Sequence, residues 1–154
     1  DVVVYFFGYR HPFSNFYKTS FTICGRSYSC VEQYYQATKA RHFNDNETAT
    51  EIMQTYNPAE MKELGKNVRD FKSQQWDYNT SKEVMRRAQL AKYRQNSNLS
   101  RVLLKTKKAL LVEANPNDFF WGAGTTEEDA RSKGNIFPGH NYMGRLLESV
   151  RANL

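Results

Sequence analysis

The amino-acid sequence predicts an α+β fold that is rich in helices and has a small β-sheet. Two observations support this fold class. Segments with apolar residues at helical spacing outnumber the β-branched runs that are typical of strands. The predicted strands also do not alternate regularly with helices, as they would in a doubly wound fold. The 154 residues contain no internal repeat, low-complexity tract or linker. We therefore expect a single domain over residues 1–154.

Four short strands are predicted. Residues 2–7 form a β-branched and aromatic run, which is typical of a buried strand. Residues 21–23 and 26–29 lie on either side of Cys24 and Gly25, an arrangement that predicts a hairpin. The sequence ALLVEA at residues 109–114 predicts the fourth strand.

Six helices are predicted from apolar stripes at helical spacing. Asp45 is expected to cap the second helix, Gly65 to end the third, and Asn141 to cap the last. The helices are expected near residues 31–41, 46–56, 58–64, 81–94, 99–106 and 142–154. The segments 8–15, 70–80 and 115–133 are predicted to be irregular.

The net charge of +6 and the isoelectric point of about 9.3 favour anionic partners such as phosphates, nucleotides or nucleic acid. No apolar run approaches the ~18 residues of a membrane span, and no signal peptide is visible at the start. We expect an intracellular protein, cytoplasmic or nuclear, with no membrane contact. Cys24 and Cys30 are expected to be reduced thiols, although a disulfide between them remains open. The three histidines lie far apart in sequence, so we expect no metal site.

The segment CVEQYYQATKAR at residues 30–41 is the most informative part of the chain. As a helix it places Glu32 and Lys39 seven residues, or about two turns, apart on one face, with Gln36 between them. A carboxylate and an amine beside aromatic rings can transfer protons or form a covalent bond to a small molecule. The alternative is a solvated ion pair, although exposed pairs are usually spaced by three or four residues.

Several loop residues are further candidates for a ligand pocket. Each also has a purely structural interpretation: turns bonded to their own backbone around Ser14, Asn15 and Phe16, an Asx turn at Asp118, and a helix cap at Asn141. Trp76 is either a stacking platform or an anchor for its loop. The glycines of the GAG sequence give only a weak phosphate signal. These candidates also include Trp121 and Gly122, together with the cations Lys66, Arg69 and Lys92.

Taken together, these segments resemble the NADAR family of YbiA-like N-glycosidases. The matching motifs are PFSNF at 12–16, the run from Gly25 to Lys39, Leu64-Gly65, Trp76, the VM…A…AKY…N pattern at 84–96, LVEANPNDFFWGAG at 111–124, GHNYMG at 139–144 and the closing LLESVRANL. The resemblance spans nearly the whole chain, and several motifs occur in the same order. Two features depart from it. Segment 125–138 is longer than in short bacterial members, and Val31 precedes Glu32 where some members have a small hydroxyl residue.

The resemblance implies a YbiA-like fold and hydrolysis of a bond between ribose C1 and a nitrogen, without a cofactor. It places Glu32 and Lys39 on the family's catalytic helix. Asp118, the second carboxylate candidate, maps with Trp121 and Asn141 onto pocket loops, and Ser14, Asn15 and Trp76 map onto ligand contacts. A carboxylate can stabilise positive charge on the ribose. Alternatively, the amine of Lys39 forms a Schiff base at C1 while Glu32 moves protons, which requires a lowered lysine pKa.

Three substrates or roles remain open at this point. Some members of the family act on riboflavin-pathway intermediates, and others remove ADP-ribose from guanine in nucleic acid or nucleotides. The long segment 125–138 and the charge of +6 favour ADP-ribose on guanine. The third possibility is a non-catalytic module that binds ADP-ribose or nucleic acid.

Overall fold

The computed structural model describes residues 2–154, so Asp1 of the predicted domain lies outside the described residues. The α+β prediction is confirmed. In chain order the elements are β1 (Val3–Phe6), β2 (Phe21–Ile23), β3 (Arg26–Tyr28), α1 (Val31–His42), α2 (Asn46–Gln54), α3 (Pro58–Lys66), a 3-10 turn (Ser73–Gln75), α4 (Tyr78–Gln95), α5 (Ser97–Leu104), β4 (Leu110–Glu113), α6 (Glu127–Ser132) and α7 (Tyr142–Ala152).

The chain forms two compact units. The sheet unit contains the residues up to Ser14 together with Ser97–Leu154, and the helical unit is Asn15–Asn96. The assignment of one domain to residues 1–154 stays a prediction. Each unit is therefore described separately.

The sheet unit is built on two parallel strands. β1 pairs with β4 in a register that runs from Val3 opposite Leu110 to Phe6 opposite Glu113. Helix α7 packs against β4. Gly144 permits this close approach, because a Cβ at that position would overlap the carbonyl oxygen of Leu111. The buried core beside the strands consists of Tyr5, Val112, Ala114, Ala123 and Ala130.

The helical unit is organised around α1, which packs against α2, α3 and α4. Strands β2 and β3 form an antiparallel hairpin, as predicted. The predicted small sheet is therefore two separate two-stranded ladders. The helical core consists of Cys30, Ala37, Ala40, Phe43, Ala49, Ile52, Met61 and Val68.

The Asp45 cap is confirmed, and its carboxylate also holds the segment after α3. Asp45 accepts a hydrogen bond from the Thr48 amide at 3.1 Å. It also accepts from the Arg69 amide at 2.9 Å and from the Arg69 guanidinium at 2.9 Å. Although burial opposes it, these bonds hold the pKa of Asp45 well below its usual range. One side chain therefore starts α2 and fixes the chain that follows α3.

Three predictions about the elements need correction. Gly65 lies inside α3, which ends at Lys66, because its backbone stays helical. Helix α4 begins at Tyr78 rather than 81, because the Asp77 carboxylate accepts from the Thr80 amide at 2.8 Å. The predicted irregular segment 115–133 contains α6, which Thr126 caps at its N-terminus.

Within residues 2–154, no helix combines the length and the apolarity needed to cross a membrane. The same residues contain no group of three or more His, Cys, Asp or Glu side chains placed to hold a metal ion. Both cysteines are free thiols, of which Cys24 is exposed and Cys30 is buried.

Candidate active site

Asn15 fixes the start of the helix that carries the candidate residues. Its carbonyl oxygen accepts from the amide of Glu32 at 3.1 Å, which satisfies a first-turn donor of α1. Its side-chain oxygen accepts from Nε2 of Gln89 on α4 at 2.6 Å. Asn15 therefore links the beginning of α1 to α4, and Phe16 beside it is half-buried.

Glu32 is buried in the first turn of α1, with 7% of its surface exposed. Nε2 of Gln36, one turn further along the helix, donates to Oε2 of Glu32 at 2.7 Å. Such a bond to a carboxylate is stronger than one between neutral groups, and it fixes where the acid points. The predicted proximity of Glu32 and Gln36 on one helix face is therefore present.

Lys39 lies two turns after Glu32 and is half-buried. Burial lowers the pKa of Lys39 below its ordinary value of 10.5, and the negative charge of Glu32 opposes that shift. Nζ of Lys39 lies 5.5 Å from the centre of the Phe71 ring. A lowered pKa is what a nucleophilic lysine needs, because only the neutral amine can attack.

The aromatic rings near Lys39 include one that comes from outside α1. Tyr34 packs against the hairpin, with its ring centre 5.0 Å from that of Tyr28. The hydroxyl of Tyr35 accepts a hydrogen bond from the indole of Trp76 at 3.1 Å. A helix turns by about 100° per residue, so Tyr35 lies one turn before Lys39 on the same face of α1, whereas Tyr34 lies on another face. Phe71, which sequence reasoning did not single out, is the ring beside the amine.

Trp76 is half-buried and lines an open groove of about 440 Å³ in the helical unit. Its ring contacts both Tyr35 and His42 edge to face, at 5.7 and 5.3 Å between centres. Both interpretations of Trp76 therefore have support, since one side anchors the loop and another borders open space. The groove is lined by Thr38, His42, Trp76, Asn79, Thr80, Glu83, Val84 and Arg87.

The three candidate cations have different environments. Lys66 keeps 62% of its side chain exposed and pairs with Glu63 at 3.7 Å. Arg69 forms an ion pair with Asp45 at 2.9 Å. Lys92 is completely buried, and the rings of Tyr17 and Tyr93 lie 5.7 and 5.1 Å from its Nζ. Lys92, a candidate cation for the ligand pocket, is therefore not a surface residue.

The burial of Gln89 and Lys92 was not predicted from the sequence. Both belong to the buried face of α4, which also carries Met85 and Ala88. Burial lowers the pKa of Lys92 to about 7. The signal that could have identified them is their position: polar side chains at helical spacing on an otherwise apolar stripe are buried with it.

Asp118 forms an Asx turn, which is the purely structural interpretation given for this residue from the sequence. Its Oδ1 accepts from the amides of Phe120 and Trp121, both at 2.9 Å. Trp121 is half-buried, with its ring centre 4.9 Å from that of Phe120. The catalytic role of Asp118 and the ligand contact of Trp121 stay predictions, as does the role of the buried Ser14.

Asn141 precedes α7 as predicted, but it does not cap the helix through its side chain. It adopts a left-handed conformation with φ of 53°. Its Oδ1 accepts from the amide of Glu113 at 3.0 Å, and its Nδ2 donates to the carbonyl of Leu111 at 2.9 Å. The side chain therefore forms two hydrogen bonds to the backbone of β4, and its contact with a ligand stays a prediction.

The backbone amides that lead into α7 are already bonded to the preceding loop. The four amides of residues 140–143 donate to carbonyls of residues 119–122 at 2.8 to 3.2 Å, and the Asn141 amide is bonded to Gly122 at 2.9 Å. An anion needs donors that have no partner. These donors are already satisfied by the backbone. The ligand contact proposed for Gly122 stays a prediction.

Comparison with known proteins identifies the family. The family model described as NADAR domain matches residues 5–154. The chain is 37% identical over 130 residues to Protein irg-1 of Caenorhabditis elegans, covering 82% of this chain and 61% of that protein. It is 32% identical over 156 residues to N-glycosidase Npun_R5314 of Nostoc punctiforme, covering 99% and 93%. A riboflavin biosynthesis protein of Vibrio vulnificus is 32% identical over 94% of this chain, which spans only 36% of that relative.

A solved structure shows the same fold. The NMR structure of the Escherichia coli protein YbiA superposes with a TM-score of 0.80 at 28% sequence identity. The match covers 99% of this chain and 84% of YbiA. The predicted YbiA-like architecture is therefore confirmed.

Proposed function

Because the chain belongs to the NADAR domain family, we propose that it is an N-glycosidase that releases ADP-ribose from guanine bases of nucleic acid or nucleotides. Relatives named N-glycosidase support the coarser statement, a hydrolase acting on N-glycosyl bonds. The observation that carries the proposal is the face of α1, where a buried carboxylate accompanies an amine whose pKa is lowered by burial.

The proposed reaction passes through a Schiff base on Lys39. When the ribose ring opens, C1 carries an imine to the base nitrogen. The neutral amine of Lys39 adds to C1, and the base leaves as Glu32 supplies the proton that its nitrogen needs. Water then adds to the Lys39–C1 imine, the amine is released, and the aldehyde recloses to free ADP-ribose. Glu32 recovers its proton during these last steps.

A direct route needs no covalent step. Positive charge develops on the ribose as the C1–N bond breaks, and a carboxylate stabilises it. Glu32 is the first candidate for that role and Asp118 the second. The lowered pKa of Lys39 favours the covalent route, because an ordinary ammonium group is not a nucleophile.

The substrate choice rests on charge. The net charge of +6 suits a polyanionic carrier or a pyrophosphate. The long segment 125–138 adds less support than expected. It contains the short helix α6, whose Arg131 pairs with Glu127 at 2.7 Å and has its guanidinium 4.7 Å from the centre of the Tyr5 ring.

The second candidate is a phosphorylated riboflavin intermediate, which the Vibrio relative's name favours. A non-catalytic reader of ADP-ribose is the third. Time-dependent release distinguishes the reader from both enzymes, since a reader binds ADP-ribose without producing it. Turnover of each substrate by the same preparation distinguishes the two enzymes.

The direct test is reductive trapping. The protein is incubated with an oligonucleotide carrying ADP-ribose on guanine, with borohydride present. We expect Lys39 to gain the mass of the reduced ADP-ribosyl adduct and Lys39→Ala to lose both the adduct and turnover. Lys62→Ala, at an exposed position of α3, is the matched control. Full turnover by Lys39→Ala would overturn the covalent mechanism, and absence of any release would overturn the proposed function.

A further inference from the structure

Gly65 is buried in the last turn of α3, where the helix packs against α1. Its backbone does not adopt the left-handed conformation that favours glycine. Alanine is intrinsically preferred to glycine inside a helix. A reason other than backbone conformation must therefore account for glycine at this position.

The reason is the space that Gln36 occupies. A Cβ on Gly65 would overlap Oε1 and Cδ of Gln36 and would lie 3.0 Å from its Cγ. Real Cβ atoms do not approach other atoms so closely. The carboxamide of Gln36 thus lies directly on the backbone of α3, in the volume that any other residue's side chain would fill.

In this position the carboxamide of Gln36 points toward the carboxylate of Glu32. Its Nε2 donates to Oε2 of Glu32 at 2.7 Å, while its Oε1 is buried without a hydrogen-bond partner. An unpaired buried amide oxygen is unfavourable, so packing must hold the amide in place. The surface of α3 at Gly65 supplies that packing.

We infer that Gly65 is a positioning residue: its missing side chain admits the Gln36 carboxamide, which in turn holds the carboxylate of Glu32. The inference rests on the proposed function for its catalytic meaning, since Glu32 is the proposed proton shuttle. Gly65 touches neither the substrate nor the reacting atoms in this scheme.

The substitution Gly65→Ala tests this relationship directly. The atoms in its way are the end of a flexible side chain rather than backbone, so the protein can fold by displacing Gln36. That displacement breaks the bond to Glu32. We expect kcat to fall about tenfold with KM unchanged, because binding does not depend on this bond in the proposal.

A thermal measurement separates the packing from the chemistry. Gly65→Ala is expected to lower the Tm of the wild-type protein by about 3 °C or more. In a Gln36→Ala background the obstacle is absent, so the same substitution is expected to raise Tm through helix propensity. Gln36→Ser, whose side chain lacks the Cδ and Oε1 atoms that meet Gly65, replaces Gln36→Ala if the latter does not fold. Lys62→Ala on the exposed face of α3 should change neither Tm nor kcat appreciably.

Kinetics of the same variants complete the experiment, with the ADP-ribosylated oligonucleotide as substrate. The double variant should show a kcat no lower than that of Gln36→Ala alone. Equal Tm losses from Gly65→Ala in both backgrounds would overturn the packing claim, and a raised KM with unchanged kcat would overturn the positioning role. If the wild-type protein released no ADP-ribose, the proposed function would fail, while the reversal in Tm would still decide whether Gly65 positions Gln36.

Discussion

The indole nitrogen of Trp76 donates a hydrogen bond to the hydroxyl of Tyr35 at 3.1 Å, which ties the loop before α4 to the middle of α1. The same indole borders the open groove of the helical unit. Anchoring and ligand contact are therefore separable, because Tyr35→Phe removes the bond and leaves the indole.

We expect Tyr35→Phe to lower Tm by a few degrees and to leave KM unchanged. Trp76→Ala should lower Tm and also weaken substrate binding roughly 10- to 100-fold, the range for loss of one stacked base. Thermal denaturation and steady-state kinetics measure the two effects. An equal rise in KM for both variants would mean that Trp76 acts only as an anchor.

Phe71 is expected to control the pH dependence of the reaction. Burial lowers the pKa of Lys39, and the Phe71 ring lies 5.5 Å from its Nζ. Phe71→Ala would expose the amine to water and raise its pKa, so the rise of kcat/KM with pH should move to higher pH. The rate near pH 7 should fall several-fold, because each pKa unit changes the neutral fraction about tenfold.

Phe71→Tyr keeps the ring and is the matched control for this profile. Its pH dependence should coincide with that of the wild-type protein. A profile for Phe71→Ala that moved toward lower pH would mean that attraction between the ring and the ammonium group outweighs burial.

Glu32→Gln should remove proton transfer while preserving the fold. The amide matches the size of the carboxylate and can still bond to Gln36. We expect kcat to fall roughly 10²- to 10⁴-fold, the usual contribution of general acid–base catalysis. Glu63→Gln at an exposed position of α3 should retain full activity. Near-normal turnover by Glu32→Gln would transfer the acid–base role to another carboxylate, with Asp118 the first to test.

The buried Lys92 should make stability depend on pH. Its pKa in the folded protein is about 7, compared with an ordinary value of 10.5. Between these values the unfolded chain binds more protons than the folded one, so the free energy of unfolding rises with pH. Below about pH 7 both states are protonated, and the full penalty for the buried charge is present.

Lys92→Met should flatten this rise between pH 7 and 10, as measured by urea denaturation at several pH values. Lys82→Met, at an exposed position of the same helix, should leave the slope unchanged. A slope that survives in Lys92→Met would mean that other groups determine the stability of the folded state in this pH range.

Local patterns were sufficient to predict α1. Its apolar and polar spacing predicted residues 30–41, and the structure has Val31–His42. The same spacing predicted that Glu32 and Gln36 share a face, because helix geometry depends on neighbours along the chain. The family's N-glycosidase character was likewise recognisable from motifs in a fixed order.

Long-range partners could not be predicted in this way. Asn141 has the residue type of a helix cap, but its amide bonds to β4, 28 and 30 residues earlier in the chain. The burial of Lys92 was not expected, because lysines are almost never fully buried. The role of Gly65 depends on a side chain from another helix, so propensity alone suggested only a helix end. Each of these errors arose from a contact between segments far apart in sequence.

The contrast between the two cysteines has a practical consequence for spectroscopy. Cys24 is exposed at the hairpin turn, whereas Cys30 is buried and its thiol pKa is raised to about 11 by burial. Thiolates, not thiols, react with maleimides. A fluorophore or spin label should therefore attach at Cys24 alone, without any engineered substitution.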